Sequence, residues 1–160
     1  MSAAHRRHPL STDLGLLLIR LILAAVFIVL GAQKLFGLFG GEGLTGTAQT
    51  IEQFGLPAPT IAAVSMGGIE FFGGMAFLLG TGLRLAAVPL AAMTFAVALL
   101  THPQAFDPGR GAVEFPLLLG VVTVGMLLTG PGRWTIAGPV RQAMSGSGGR
   151  RSASVSMAGG

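Results

Sequence analysis

Cysteine and tyrosine are absent from this 160-residue chain, and charged side chains make up only 10% of it. Without Cys there is no disulfide framework, no thiol redox pair and no thiolate metal site. Three histidines remain, His5, His8 and His102. Their spacing matches no zinc motif, and one imidazole in apolar surroundings does not supply bis-His haem ligation. A Walker loop, a dinucleotide fingerprint inside a βαβ unit and a Ser, His, Asp order are missing too. The shortage of charge excludes most, because a soluble domain of this length covers its surface with many more ionised groups.

What the chain has instead is apolar length. Half of the residues are hydrophobic, glycine is unusually frequent, and the charges cluster at the edges of long apolar runs. A helix needs about 20 residues to cross about 30 Å of hydrocarbon. Leu14–Phe36, Thr60–Leu83, Leu85–Thr101 and Ala112–Thr129 approach or exceed that length. The first run follows Arg6 and Arg7 as a signal sequence would, but it is long for one and no small-x-small cleavage site follows it. An all-α, integral-membrane four-helix bundle is expected. Residues 1–13 then form an N-terminal tail, 14–138 the membrane domain and 139–160 a largely disordered tail rich in Gly, Ser and Arg.

Orientation follows from basic residues, which are retained on the cytoplasmic side. With both termini in the cytoplasm, the inner segments carry Arg6, Arg7, Arg84, Arg133, Arg141, Arg150 and Arg151, and the outer loops only Lys34 and Arg110. The net charge of +4 thus reads as topology and contact with anionic lipid, not nucleic-acid binding. The expected location is a cytoplasmic membrane. The longest outer loop, 37–59, is glycine-rich, and Thr47–Phe54 within it suits a short amphipathic turn with Ile51 and Phe54 on one side.

Glu70 is the residue that most demands explanation. A charge at the centre of a spanning helix costs about 2.5–3.5 kcal/mol on insertion scales, so it usually faces a protein interior. Ala63, Gly67, Glu70 and Gly74 share one helical face, and small residues let a second backbone approach. Matching stripes are Arg20, Ala24, Phe27, Gly31 and Lys34 on the first span, and Arg84, Ala87, Ala91, Thr94, Ala98 and Thr101 on the third. On the fourth, Glu114 stands above Leu118, Val121 and Gly125. At about 1.5 Å per residue, Glu70 lies about 15 Å below the outer end of its span and Arg20 about 9 Å above the inner end of its own. Two arrangements of the intramembrane site Arg20 and Glu70 are expected on equal footing: an Arg20–Glu70 ion pair, or Arg20 snorkelling to the inner headgroups and leaving Glu70 to hydrogen-bond or stay protonated.

A second polar group is expected near the outer face from Gln33, Lys34, His102 and Glu114. These residues offer donors, acceptors and a titrating imidazole around one vestibule. Ordinary interfacial capping would account for each of them separately.

The segments Gly31-Ala32-Gln33-Lys34-Leu35-Phe36-Gly37, Gly55-Leu56-Pro57-Ala58-Pro59, Glu70-Phe71-Phe72-Gly73-Gly74, Glu114-Phe115-Pro116-Leu117 and Gly130-Pro131-Gly132-Arg133-Trp134 occur in an order that resembles the DoxX family of small bacterial membrane proteins. The resemblance covers about residues 14–138 and lands the family's intramembrane Glu and Gln-Lys pair on Glu70, Gln33 and Lys34. It implies a membrane subunit working with redox partners, the family being named for a subunit of a quinone-linked sulfur-oxidising complex. The chain carries no added soluble domain like that of the complex, which argues against a thiosulfate role. The expectation is a non-catalytic accessory subunit of a redox or oxidative-stress membrane complex, with quinone as its ligand and the lipid bilayer and redox proteins as partners. A small-molecule or proton-coupled carrier and a purely structural module are the rivals. No inverted repeat with paired broken spans favours the carrier.

Overall fold

The computed structural model describes residues 10–101, 114–132 and 135, and among these it is helical without a strand. Five helices follow in order: α1 (Leu10–Phe36), α2 (Gly43–Gln53), α3 (Pro59–Leu79), α4 (Leu83–Thr101) and α5 (Glu114–Thr129), with a single 3-10 turn at Leu38–Gly40. Three of them, α1, α3 and α4, are long and apolar enough to cross a membrane. At 16 residues α5 is shorter, about 24 Å along its axis. Around the bundle α1 packs on α3, α3 on α4 and α4 on α5, while α5 closes only loosely back onto α1. α2 lies against α1 and α3 near the end where α1 finishes and α3 begins.

The element boundaries differ from the apolar runs in ways that local chemistry explains. α1 begins at Leu10, four residues before its apolar run, so the first turn takes in Asp13, which is buried. α3 stops at Leu79 because Gly80 takes the left-handed conformation (φ 69°) and closes the helix by donating its N–H to Ala76 O and Phe77 O. Leu83 therefore belongs to α4. In the loop, the helix starts at Gly43 instead of Thr47 and runs for 11 residues; Ile51 is buried, but Phe54 just beyond its end is half exposed.

Glycine sets the closest approach in the bundle. A Cβ on Gly31 would lie 2.5 Å from the backbone nitrogen of Phe71, and one on Gly74 would lie 2.8 Å from that of Ile28. These contacts leave no room for a methyl group, so α1 and α3 meet backbone to backbone. The small face expected on α3 is buried, with Ala63, Gly67, Glu70 and Gly74; on α4 Ala87, Ala91, Thr94 and Ala98 are buried as expected, but Arg84 at the head of that stripe is exposed. On α5 the expected face is wrong. Leu118 and Val121 are exposed, and the inward face is Leu119, Gly120, Thr123 and Met126. α5 is apolar all round, so periodicity gave it no phase, and Glu114 at its exposed start was a poor anchor.

The bundle is packed unevenly along its length. Towards the α3–α4 turn, Leu23, Phe27, Phe77, Leu83, Leu90 and Met126 form a solid core. Phe27 and Phe77 meet edge to face there, with centroids 6.2 Å apart. Towards α2 the core gives way to a cavity.

Candidate functional site

Glu70 pairs with Lys34, not with Arg20. The Lys34 ammonium donates to both carboxylate oxygens, at 2.9 Å to Oε1 and 2.7 Å to Oε2. The register of α1 on α3 explains the choice. Gly31 faces Gly67 and Phe71, Gly74 faces Ala24 and Ile28, and Gly80 faces the Arg20 guanidinium. Arg20 thus stands ten residues along α3 from Glu70, about 15 Å away at helical rise. Lys34 is one turn beyond Gly31, and because helical side chains lean towards the N-terminus of their own helix, Lys34 and Glu70 lean towards each other on antiparallel partners.

Arg20 has a different task. Its Nη1 donates to the Pro131 carbonyl at 3.0 Å, tying α1 to the Gly130-Pro131-Gly132 turn after α5. Asp13 is buried in the same region: a Cβ on Gly132 would come within 3.7 Å of its Oδ1. Sequence reading missed Asp13 by placing it in the N-terminal tail. An acidic residue at the head of a long apolar helix was the available signal.

The outer polar group is also rearranged. Gln33 turns away from Lys34 and donates from Nε2 to Phe39 O at 3.2 Å, bracing the loop in which Phe39 takes a left-handed conformation. Glu114 is exposed at the start of α5. His102 lies outside the described residues. Of the expected members among the described residues, Gln33, Lys34 and Glu114, only Lys34 joins the Glu70 site.

That site opens on the cavity, which has a volume of about 280 Å³ and walls from every helix. Leu30 and Lys34 come from α1, Thr47, Thr50 and Ile51 from α2, Met66 and Glu70 from α3, Met93, Thr94 and Val97 from α4, and Phe115, Pro116 and Leu119 from α5. Thr94 spends its hydroxyl on its own helix, donating to the carbonyls of Leu90 and Ala91. The charged pair is therefore the main polar feature of an apolar chamber. Glu70 has 5% of its side chain exposed and Lys34 24%, so the lysine is the member that reaches towards solvent. Such a chamber suits a largely apolar ligand with one hydrogen-bonding end. Among the described residues no cluster of His, Asp and Glu could hold a metal ion.

Comparison with known proteins agrees with the membrane architecture. The chain is 33% identical over 127 residues to the inner membrane protein YqjF of Escherichia coli K12, covering 78% of this chain and 90% of that one. It is 32% identical over 120 residues to the putative oxidoreductase CatD of Bacillus subtilis 168, covering 75% and 82%. A membrane protein of Mycobacterium tuberculosis H37Rv, Rv3486, is 32% identical over 131 residues, covering 74% and 76%. No solved structure matches significantly. The DoxX family model matches residues 15–103, a span that holds most of α1, all of α2 to α4 and both members of the ion pair. Helices of membrane-spanning length, the match to that model and relatives matched over most of their length lead to one assignment: this chain is a membrane protein of the DoxX family.

Proposed function

We propose that this protein is a non-catalytic subunit of a redox or oxidative-stress complex in the bacterial cytoplasmic membrane, and that it holds a quinone-type ligand in the cavity beneath α2. The observation that carries the reading is the Lys34–Glu70 pair lining an otherwise apolar cavity of about 280 Å³. A quinone needs a donor at its carbonyl and a quinol an acceptor at its hydroxyl. The ammonium supplies the first and the carboxylate the second. The apolar walls accommodate the ring, and electrons pass to a partner protein. The name of the Bacillus relative, a putative oxidoreductase, points the same way. In this reading α5 is a fourth span, and both termini lie in the cytoplasm.

The test is gentle purification from native membranes after crosslinking, with solvent extraction and spectral analysis of what remains bound. Quinone is expected with the wild-type protein and is depleted about tenfold or more in Glu70→Gln, the loss of one charge-assisted hydrogen bond. Equal quinone in both preparations would remove the proposal.

A further inference from the structure

The wall of the cavity between α1 and α5 includes Phe115 and Leu119. The same two residues also line a second apolar groove of about 240 Å³ on the flank of the bundle. That groove runs between Ile22 and Val26 of α1 and Leu118 and Val122 of α5. It exists because α1 and α5 pack loosely: this seam has no counterpart to the glycines that close α1 onto α3. Ile22 and Leu118 are 64% and 63% exposed, so the groove opens towards the lipid-facing side of the helices.

We propose that cavity and groove are two parts of one site, which takes an amphiphile with its polar head at Lys34 and Glu70 and a single isoprenoid tail in the α1–α5 seam. The inference rests on the quinone-type reading and narrows it to a ligand that is dissolved in the bilayer and enters sideways. A small water-soluble ligand would make no use of a groove built wholly of apolar side chains. The wall that Phe115 and Leu119 give to both spaces singles out the tail of the cavity's own ligand as the occupant. Lipid chains are as apolar as the groove, so leaving lipid contributes little. The tail contributes because it is tethered to an anchored head and its branch methyls pack against Ile22 and Val122. Phe115, half exposed on the first turn of α5, is the partition that the tail must pass.

The test uses the full chain in lipid nanodiscs and two probes, a benzoquinone without a tail and the same ring carrying two isoprene units. Affinities are compared between wild type and the groove-filling double variant Ile22→Trp, Leu118→Trp, whose positions are exposed and so leave the core intact. Partition into the disc is a property of the probe and cancels between the two proteins. The double variant is expected to bind the tailed probe about tenfold more weakly and the tailless probe within about twofold of wild type. A variant that treats both probes alike would overturn the tail assignment. Phe115→Ala keeps the question open to refutation by kinetics: it should speed association of the tailed probe and not of the tailless one, and an unchanged rate for the tailed probe counts against passage there. Tailless binding in Glu70→Gln tests the head site separately, so failure of one reading is distinguishable from failure of the other.

Discussion

Two charges that meet inside an apolar bundle are not equivalent, and Lys34 and Glu70 differ in how each would fare alone. Glu70 is almost fully enclosed, while Lys34 keeps a quarter of its side chain exposed and has a flexible stem that can carry its ammonium to the interface. Removing the lysine strands a carboxylate in the chamber; removing the carboxylate leaves a lysine free to snorkel. In a detergent-micelle unfolding assay, Lys34→Met is therefore expected to cost about 3 kcal/mol and Glu70→Gln about 1 kcal/mol, with the double variant recovering most of the larger loss. Equal single losses, or losses that simply add, would show that the pair is not an energetic unit. The residues of this site were legible in the sequence, because a carboxylate among small residues marks its own helical face. Their pairing was not. Depth counted from span ends put Arg20 opposite Glu70, whereas the contact is fixed by where Gly31 and Gly74 allow the backbones to touch.

At the scale of the helix, the α1–α3 contact holds Lys34 and Glu70 in register, and glycine determines it. Gly31 and Gly68 are a matched pair for testing this. A methyl on Gly31 would overlap the α3 backbone at Phe71, which cannot move aside as a side chain can; a methyl on Gly68 would meet nothing within 4 Å. Gly31→Ala should therefore destabilise the protein by about 2–3 kcal/mol by overpacking. Gly68→Ala, in mid-helix, should be neutral or stabilising by up to about 1 kcal/mol. Thermal unfolding of both variants in one detergent decides it, and similar behaviour would mean that the seam is looser than its geometry. Helix faces were legible where small and large residues alternate, as on α3 and α4. On α5 they were not, because Leu, Val and Met occur all round it and only Thr123, whose hydroxyl turns back to Leu119 O, marks the buried side. The cavity was legible nowhere, being a gap left by five elements and not a property of any one segment.

At the scale of the whole molecule, the two ends of the bundle differ in charge in a way that predicts its direction in the membrane. The end bearing α2 holds Glu42 and Glu52, its basic group on α1, Lys34, is committed to Glu70, and Arg110 is the one further Lys or Arg in the sequence between α4 and α5. The opposite end holds Arg84 in the first turn of α4 and the Gly130-Pro131-Gly132 turn anchored by Arg20, with Arg133, Arg141, Arg150 and Arg151 following in the sequence. Free basic residues are retained in the cytoplasm. The α2 end is therefore expected to face away from it. The absence of native cysteine makes single introduced thiols clean reporters. Thr45 on α2 and Thr81 in the turn between α3 and α4 are both exposed, at opposite ends of α3. In spheroplasts, an impermeant maleimide should label Thr45→Cys directly and Thr81→Cys only after permeabilisation. The reverse pattern would invert the bundle and place the exposed edge of the Lys34–Glu70 site on the cytoplasmic side. Any protons exchanged at the site would then be exchanged with the opposite compartment.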